Sequence, residues 1–250
     1  MAPLGLAEWE LIGVAVLVGS FLGVVIDRLP DGETIVAGRS RCARCDAVLT
    51  VRDLVPLASW LALRGQCRHC GARIGWFYPA VELAALAIAV VSVTVTRGYD
   101  AWVAAALGWW LLALGWIDWR RFILPDALTL PLIVLGLAAA WGLAPDELWD
   151  RLAGAVCGYL LLWAVAWVYR RLRGRDGLGL GDAKLLAAAG AWVGAGGLPS
   201  VLAGAAFAAL AAAGGMMLAG RRLDRHTALP FGPFLAAATW LVWLFGPIAY

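Results

Sequence analysis

The sequence predicts an all-α protein that crosses a membrane about eight times and carries one small polar loop domain. Hydrophobic residues make up 63% of the 250-residue chain and charged residues only 15%, against roughly 45–50% and about 25% in soluble globular proteins. The apolar residues fall in runs that suit bilayer-spanning helices of about 20 residues. This composition excludes a soluble enzyme, a disordered chain and a secreted disulfide-rich scaffold.

Eight candidate spans follow from the apolar runs and the residues that break them. They lie near residues 9–26, 79–96, 101–118, 125–142, 151–169, 183–195, 199–219 and 230–248. The sixth is short and rich in Ala and Gly. We therefore predict a first transmembrane helix at 1–26, a hydrophilic loop domain at 27–78 and a seven-helix membrane core at 79–250.

The positive charges predict the orientation of the chain. If the loop at 27–78 is cytoplasmic, 18 of the 20 lysines and arginines fall on the cytoplasmic side, and only Arg97 and Arg151 fall outside. Cytoplasmic loops of membrane proteins carry such an excess of cations. We expect both termini to lie outside the cytoplasm. The basic residues occur in short clusters between spans, so nothing points to a nucleic-acid partner.

Four of the five cysteines lie in the loop as two C-x-x-C pairs, Cys42 with Cys45 and Cys67 with Cys70. Each pair lets a tight turn present two thiolates to one ion, and two pairs complete a tetrahedral zinc site. The alternative is two disulfides, which require an oxidising compartment, whereas the charges place the loop in the cytoplasm. We therefore predict a structural Zn²⁺ that supports a loop with little core of its own.

Ionisable residues in or beside the spans are functional candidates, because placing them in a membrane is costly. Asp118 closes the third predicted span and Asp182 opens the sixth, and the two crossings between them return both to one face. Two carboxylates that share one proton can activate water and polarise a carbonyl group, which is the chemistry of peptide hydrolysis. The alternatives are structural: Asp118 can pair with a neighbouring arginine, and Asp182 can cap a helix.

Three further acids have structural interpretations. Asp126 follows a proline at a predicted helix start, where an acid favours the helix dipole. Glu82 is expected to shape packing or binding, and Asp27 to form an ion pair with Arg28 at the membrane edge. A transporter that relays protons or ions through the membrane acids is the rival function. Against it, the acids gather at one face rather than at the midplane.

A series of motifs runs in order along most of the chain. They are GSFLGVVIDRLP at 19–30, RCARC at 41–45, LRGQCRHC at 63–70, YPAVEL at 78–83, IDWRRFILPD at 117–126, GLGLGDAKLL at 177–186 and LPFGPFLA at 229–236. Together they resemble the bacterial type IV prepilin peptidases, which are membrane aspartic proteases of the GxGD type. One departure is Gly23, where the family's first-span signature usually has asparagine.

The resemblance implies a catalytic pair, Asp118 and Asp182, with Gly179, Gly181 and Lys184 supporting the substrate or the loop at the second aspartate. It implies prepilin and pseudopilin substrates of type IV pilus and type II secretion systems, cut just after a glycine at the cytoplasmic edge of the bacterial inner (plasma) membrane. Many members with the cysteine loop also methylate the new N-terminal amine with S-adenosylmethionine, and this chain resembles that bifunctional form. The resemblance assigns no residue to methyl transfer.

Overall fold

The computed structural model describes residues 5–35, 38–174, 179–220 and 229–248, so the first two residues of the GLGLGDAKLL motif lie outside the described part. The helices are α1 (Leu6–Arg28), α2 (Ala58–Ala62), α3 (Phe77–Val95), α4 (Tyr99–Arg121), α5 (Asp126–Leu143), α6 (Leu148–Arg173), α7 (Leu180–Leu218) and α8 (Gly232–Phe245). Single 3-10 turns lie at Leu29–Asp31, Val51–Asp53 and Pro145–Glu147. In the described ranges, β-structure is limited to isolated bridges. This confirms the predicted all-α class.

Five helices, α1, α3, α4, α6 and α7, are long and apolar enough to cross a membrane, and α5 and α8 are shorter apolar helices. Helix α7 has 39 residues, but Gly194 interrupts it with a φ of +74° and a ψ of 174°. The helices at 180–193 and 195–218 meet at this residue without a loop. The described part of the chain therefore holds eight apolar helical segments, consistent with the eight predicted spans.

The chain divides into two compact units, Met1–Trp109 and Trp110–Tyr250. In the first unit, α1 packs against α3. A Cβ atom on Gly19 would lie 2.7 Å from the Cα of Glu82, so a glycine is required where the two helices approach. The apolar core between them is formed by Leu11, Ala15, Leu22 and Ile26 of α1 and Val81, Ala85, Ala89 and Val93 of α3. The predicted domain boundaries near 26 and 78 stay a prediction.

The departure at Gly23 has a packing explanation. A Cβ atom on Gly23 would lie 2.7 Å from Cδ1 of the Tyr78 ring, so the ring occupies the space that a side chain at 23 would need. The Tyr78 hydroxyl donates a hydrogen bond to Oδ2 of Asp27 at 3.4 Å. An asparagine at 23 therefore requires Tyr78 to move away from α1.

In the second unit, α6 and the first half of α7 pack through glycines. Gly154 and Gly190 face each other, and a Cβ atom on Gly158 would lie 2.5 Å from the Leu186 carbonyl oxygen. Trp192 donates a hydrogen bond through Nε1 to the Leu132 carbonyl oxygen at 3.0 Å, which joins α7 to α5. Small residues thus let the helix backbones approach closely, as is common in membrane proteins.

The break at Gly194 is held by the start of α6. The Asp150 carboxylate lies where a Cβ atom on Gly194 would stand. Arg151 donates a hydrogen bond through Nη1 to the Trp192 carbonyl oxygen and forms an ion pair with Glu147 at 2.7 Å. A carbonyl beside the break thereby keeps a hydrogen-bond partner, which an apolar surrounding requires.

We predict that Gly194→Ala destabilises the protein, because alanine rarely adopts a positive φ and its Cβ would collide with Asp150. The expected cost is about 1–3 kcal/mol, seen as a lower apparent Tm of the purified protein in detergent. The matched control is Gly196→Ala, since a Cβ atom there meets no heavy atom within 4 Å. Equal apparent Tm values for the two variants would contradict this account of the break.

Candidate active site and metal centre

Asp118 lies in the last turn of α4 and is only 6% exposed. Its Oδ2 accepts a hydrogen bond from the backbone N–H of Gly232 at 3.0 Å. Gly232 is the first residue of α8, where backbone N–H groups have no partner within the helix. The start of α8 therefore supplies the donor that a buried carboxylate needs.

Gly232 is a site residue that the sequence analysis did not single out. A Cβ atom there would lie 2.6 Å from Oδ2 and 3.0 Å from Cγ of Asp118, so any side chain would displace the carboxylate. The available signal was the LPFGPFLA motif at 229–236. The motif does not by itself indicate a hydrogen bond to Asp118, because a backbone N–H donor cannot be recognised from the type of residue.

Asp182 lies in the first turn of α7 and is half-buried. The helix is preceded by Gly179 in an extended conformation, with φ −72° and ψ 141°. A Cβ atom on Gly181 would lie 3.0 Å from Cβ of Leu124. Glycine at 181 thus lets the first turn of α7 approach the segment that follows α4, which brings Asp182 toward Asp118.

Asp118 and Asp182 line one cavity of about 430 Å³. The remaining lining residues are Gly179, Gly181, Lys184, Phe122, Ile123, Leu124, Leu229, Pro230 and Phe231. The arrangement places two acids in a mostly apolar cavity that is large enough for a short stretch of extended peptide. Two adjacent carboxylates of this kind can share one proton and perform general acid–base chemistry.

Lys184 forms an ion pair with Asp126, with Nζ 2.5 Å from Oδ1. Asp126 is the first residue of α5, at a helix start as the sequence predicted. The ion pair with Lys184 is an additional contact that the sequence did not predict. The pair joins the starts of α5 and α7 beside the cavity. Both side chains are partly exposed, so the contact positions the helix starts more than it stabilises the fold.

The other two acids belong to the first unit. Glu82 is buried in the second turn of α3, and its Oε2 accepts a hydrogen bond from the Leu57 backbone N–H at 2.8 Å. Asp27 accepts the hydrogen bond of the Tyr78 hydroxyl. Glu82 therefore has a contact with the loop domain, in keeping with the predicted role in packing or binding.

The four loop cysteines form a compact cluster in which all Sγ atoms lie within 4.8 Å of one another. The Sγ atoms of Cys42 and Cys70 are 3.8 Å apart, close to the separation of about 3.8 Å that tetrahedral zinc–sulfur bonds of about 2.3 Å require. All four are free thiols in this structure. The residues present could therefore hold a metal ion, and the disulfide alternative finds no support in the geometry.

Two similar turns present these thiols. The Cys42 N–H bonds the Ala47 carbonyl at 3.0 Å, and the Cys67 N–H bonds the Ala72 carbonyl at 2.8 Å. The residue after the second cysteine of each pair has a left-handed conformation: φ is +54° at Asp46 and +66° at Gly71. Each C-x-x-C thus folds into the same tight turn, with both thiols on the side of the other pair.

Hydrogen bonds within the loop favour the ionised forms of Cys42 and Asp53. Backbone N–H groups of Arg44 and Cys45 lower the pKa of the Cys42 thiol to about 6, which favours the thiolate form that binds metals. The Thr50 hydroxyl and Arg68 lower the pKa of Asp53 to about 2. Asp53 therefore keeps its negative charge at neutral pH and pairs with Arg68 at 2.7 Å.

Comparison with known proteins connects both halves of the chain to one class of enzyme. Residues 13–96 match the family model described as bacterial peptidase A24 N-terminal domain, and residues 105–214 match the type IV leader peptidase family. No solved structure gives a significant match to this chain.

Curated relatives named prepilin leader peptidase/N-methyltransferase match over most of their length. The relative from Aeromonas salmonicida strain A449 is 40% identical over 93% of this chain and 88% of its own. Those from Burkholderia pseudomallei strain K96243 and Pseudomonas aeruginosa are 39% and 40% identical, over 99% and 93% of this chain and 88% of each relative.

We predict that the purified protein carries one tightly bound metal ion per chain. The double variant Cys42→Ser, Cys67→Ser removes one thiolate from each turn and should abolish this binding, because two thiolates do not complete a tetrahedral site. Cys157→Ser is the control, since Cys157 lies on α6. Metal content by elemental analysis and free-thiol titration check the result. Two disulfides and no metal in the wild-type protein would contradict it.

Proposed function

The chain belongs to the type IV leader peptidase family, and we propose that it removes the leader peptide of type IV prepilins with Asp118 and Asp182 as its catalytic pair. The observation that carries this proposal is that both carboxylates line one cavity at the ends of α4 and α7. Family membership argues against the transporter. So does the position of the two acids at helix ends, where water is available.

The proposed reaction needs no covalent intermediate. One carboxylate is ionised and takes a proton from water, whose oxygen attacks the scissile carbonyl carbon, while the protonated carboxyl donates to the carbonyl oxygen. The tetrahedral intermediate then collapses: the carboxyl that took the water proton donates it to the nitrogen, the other carboxylate takes back a hydroxyl proton, and the C–N bond breaks. The leader leaves with a new carboxyl group. The Gly232 N–H holds the Asp118 carboxylate in place for these transfers.

Gly179, Gly181 and Lys184 are proposed to support Asp182. Gly181 permits the close approach of the first turn of α7 to Leu124, and the ion pair between Lys184 and Asp126 holds that turn beside the start of α5. The substrate would lie in extended form along the cavity. The absence of a side chain at Gly179 leaves room for it, since a Cβ atom there would meet no atom closer than 3.9 Å.

We propose that the ion bound by Cys42, Cys45, Cys67 and Cys70 is Zn²⁺, because four thiolates in tetrahedral spacing favour it. When bound, the metal would supply structural support to the loop at 27–78 and no chemistry at the peptide bond. We place the protein in the bacterial inner membrane, with the loop and the Asp118–Asp182 cavity on the cytoplasmic side and both termini outside. The cation distribution supports this orientation.

We also propose that the chain methylates the new N-terminal amine with S-adenosylmethionine. The relatives' names include N-methyltransferase, and the chain keeps the cysteine cluster. The loop at 27–78 is the polar segment large enough to form a pocket for a charged nucleotide-like cofactor. Cleavage and methylation would then use different parts of the chain.

We predict that Asp118→Asn and Asp182→Asn each abolish leader cleavage, because neither amide can exchange a proton with water or substrate. Asp126→Asn is the matched control and should retain most of the activity, since its partly exposed ion pair contributes about 1 kcal/mol or less. Mass spectrometry of a prepilin peptide incubated with each purified variant measures leader loss. A normal cleavage rate in Asp182→Asn would exclude the aspartic mechanism.

Gly232→Ala should lower kcat about 100-fold with KM changed by less than about twofold, because a displaced Asp118 loses its reactive geometry while the rest of the cavity remains. The control is Gly214→Ala, where a Cβ atom meets no heavy atom within 4 Å. Apparent Tm values of both variants test whether each remains folded. The proposed role fails if a folded Gly232→Ala enzyme cleaves at the wild-type rate.

Methyl transfer should depend on the loop and not on the aspartates. With a pre-cut pilin and labelled S-adenosylmethionine, Asp182→Asn should methylate normally, whereas Cys67→Ser with Cys70→Ser should lose methylation and keep some cleavage of full-length prepilin. Methylation by neither wild type nor variants would show a peptidase without the second activity. Loss of methylation in Asp182→Asn alone would contradict separate sites.

A further inference from the structure

The segment between the two cysteine pairs is fastened to a membrane-spanning helix. The Leu57 backbone N–H donates to Oε2 of Glu82, which is 6% exposed in the second turn of α3. Glu82 lies six residues beyond Trp76, the residue before α3, which corresponds to about 9 Å along a helix axis. Helical side chains lean back toward the N-terminus. Leu57 therefore lies beside α3 at about one helical turn from its first residue, counted along the helix axis.

The residues at the start of α3 are of the kind found where a membrane span meets the lipid headgroups. Trp76 is 69% exposed there, and tryptophan is enriched where a span meets the headgroups. Trp76 contacts Trp60 of α2, with ring centroids 4.3 Å apart. Leu57 and Trp60 are thereby held beside the first turns of α3, by one backbone hydrogen bond and one aromatic contact.

Most of the large side chains that this segment exposes are apolar. Val51 is 83% and Leu61 66% exposed, and Leu54 and Val55 are also exposed. Leu83, the residue after Glu82 on α3, is exposed as well. Exposed apolar side chains beside the start of a membrane-spanning helix favour contact with lipid over contact with water.

The exposed charge of the segment is positive. Arg52 and Arg64 are exposed, whereas the Asp53 side chain is 4% exposed and paired with Arg68. Arginines next to apolar residues at a membrane surface attract anionic lipid headgroups. The positive charge and the exposed apolar side chains therefore both favour lipid as the binding partner of this surface.

We propose that residues 51–64 form an interfacial element that inserts into the leaflet on the loop side of the membrane. Val51, Leu54, Val55 and Leu61 enter the boundary between headgroups and acyl chains, and Arg52 and Arg64 contact lipid phosphates. The element anchors the four-cysteine cluster to the membrane surface between α1 and α3. It does so independently of the proposed peptidase chemistry.

The test uses the full-length protein in nanodiscs of phosphatidylethanolamine and phosphatidylglycerol in a three-to-one ratio. The photo-crosslinker p-benzoylphenylalanine replaces Val51, Leu54 or Leu61, one at a time. Leu17 of α1, 63% exposed, serves as the lipid-facing reference, and the exposed Arg44 of the first cysteine turn as the water-facing one. Mass spectrometry identifies the adducts after irradiation.

We expect phospholipid adducts at 51, 54 and 61 in yields like those at 17, and few at 44. Adducts to a second protein chain, or yields no higher than at 44, would overturn the proposal. Phosphatidylglycerol should be enriched about twofold among the adducts and should fall to its bulk share when Arg52→Gln and Arg64→Gln are combined. Unchanged enrichment in that variant would exclude the arginines as the headgroup contacts.

Discussion

The hydrogen bond from the Gly232 N–H to the Asp118 carboxylate is the contact on which the proposed catalytic site depends. A buried carboxylate among apolar helices is costly unless a donor satisfies it. Here the donor is a backbone group at the start of α8, so the carboxylate needs no further polar side chain beside it. The same contact sets the end of α4 against the start of α8, and the absence of a Cβ atom at 232 is what permits it.

The second aspartate reaches the cavity through close helix packing. The glycines at 154, 158 and 190 let α6 and the first half of α7 touch through their backbones, and Arg151 supports the break at Gly194 that ends this half. Polar chemistry is thus confined to helix ends, where water and backbone donors are available. The helices behind remain apolar, which is how so hydrophobic a chain can carry an acid pair for hydrolysis.

The sequence predicts the helical class, because the apolar runs have the length that a bilayer-spanning helix needs. It also predicts the association of Asp118 with Asp182, because each lies at the end of a predicted span and the two crossings between them return both to one face. It does not select Gly194 as the break, since glycines stand at 194, 196 and 197 and only the three-dimensional contact with Asp150 distinguishes the first of them. It also misses Gly232, because a backbone N–H acts identically in any residue except proline. Contacts that depend on backbone position require the three-dimensional structure.

Asp118 and Asp182 are proposed to act as one unit, and a kinetic double-variant cycle tests this most directly. Residual cleavage of a prepilin peptide is measured by mass spectrometry for Asp118→Asn, Asp182→Asn and the combined variant. Groups that share one chemical step lose their effect together. We predict the same residual rate in all three within a few-fold. Losses that multiply in the combined variant would show two independent carboxylates and would contradict a shared catalytic site.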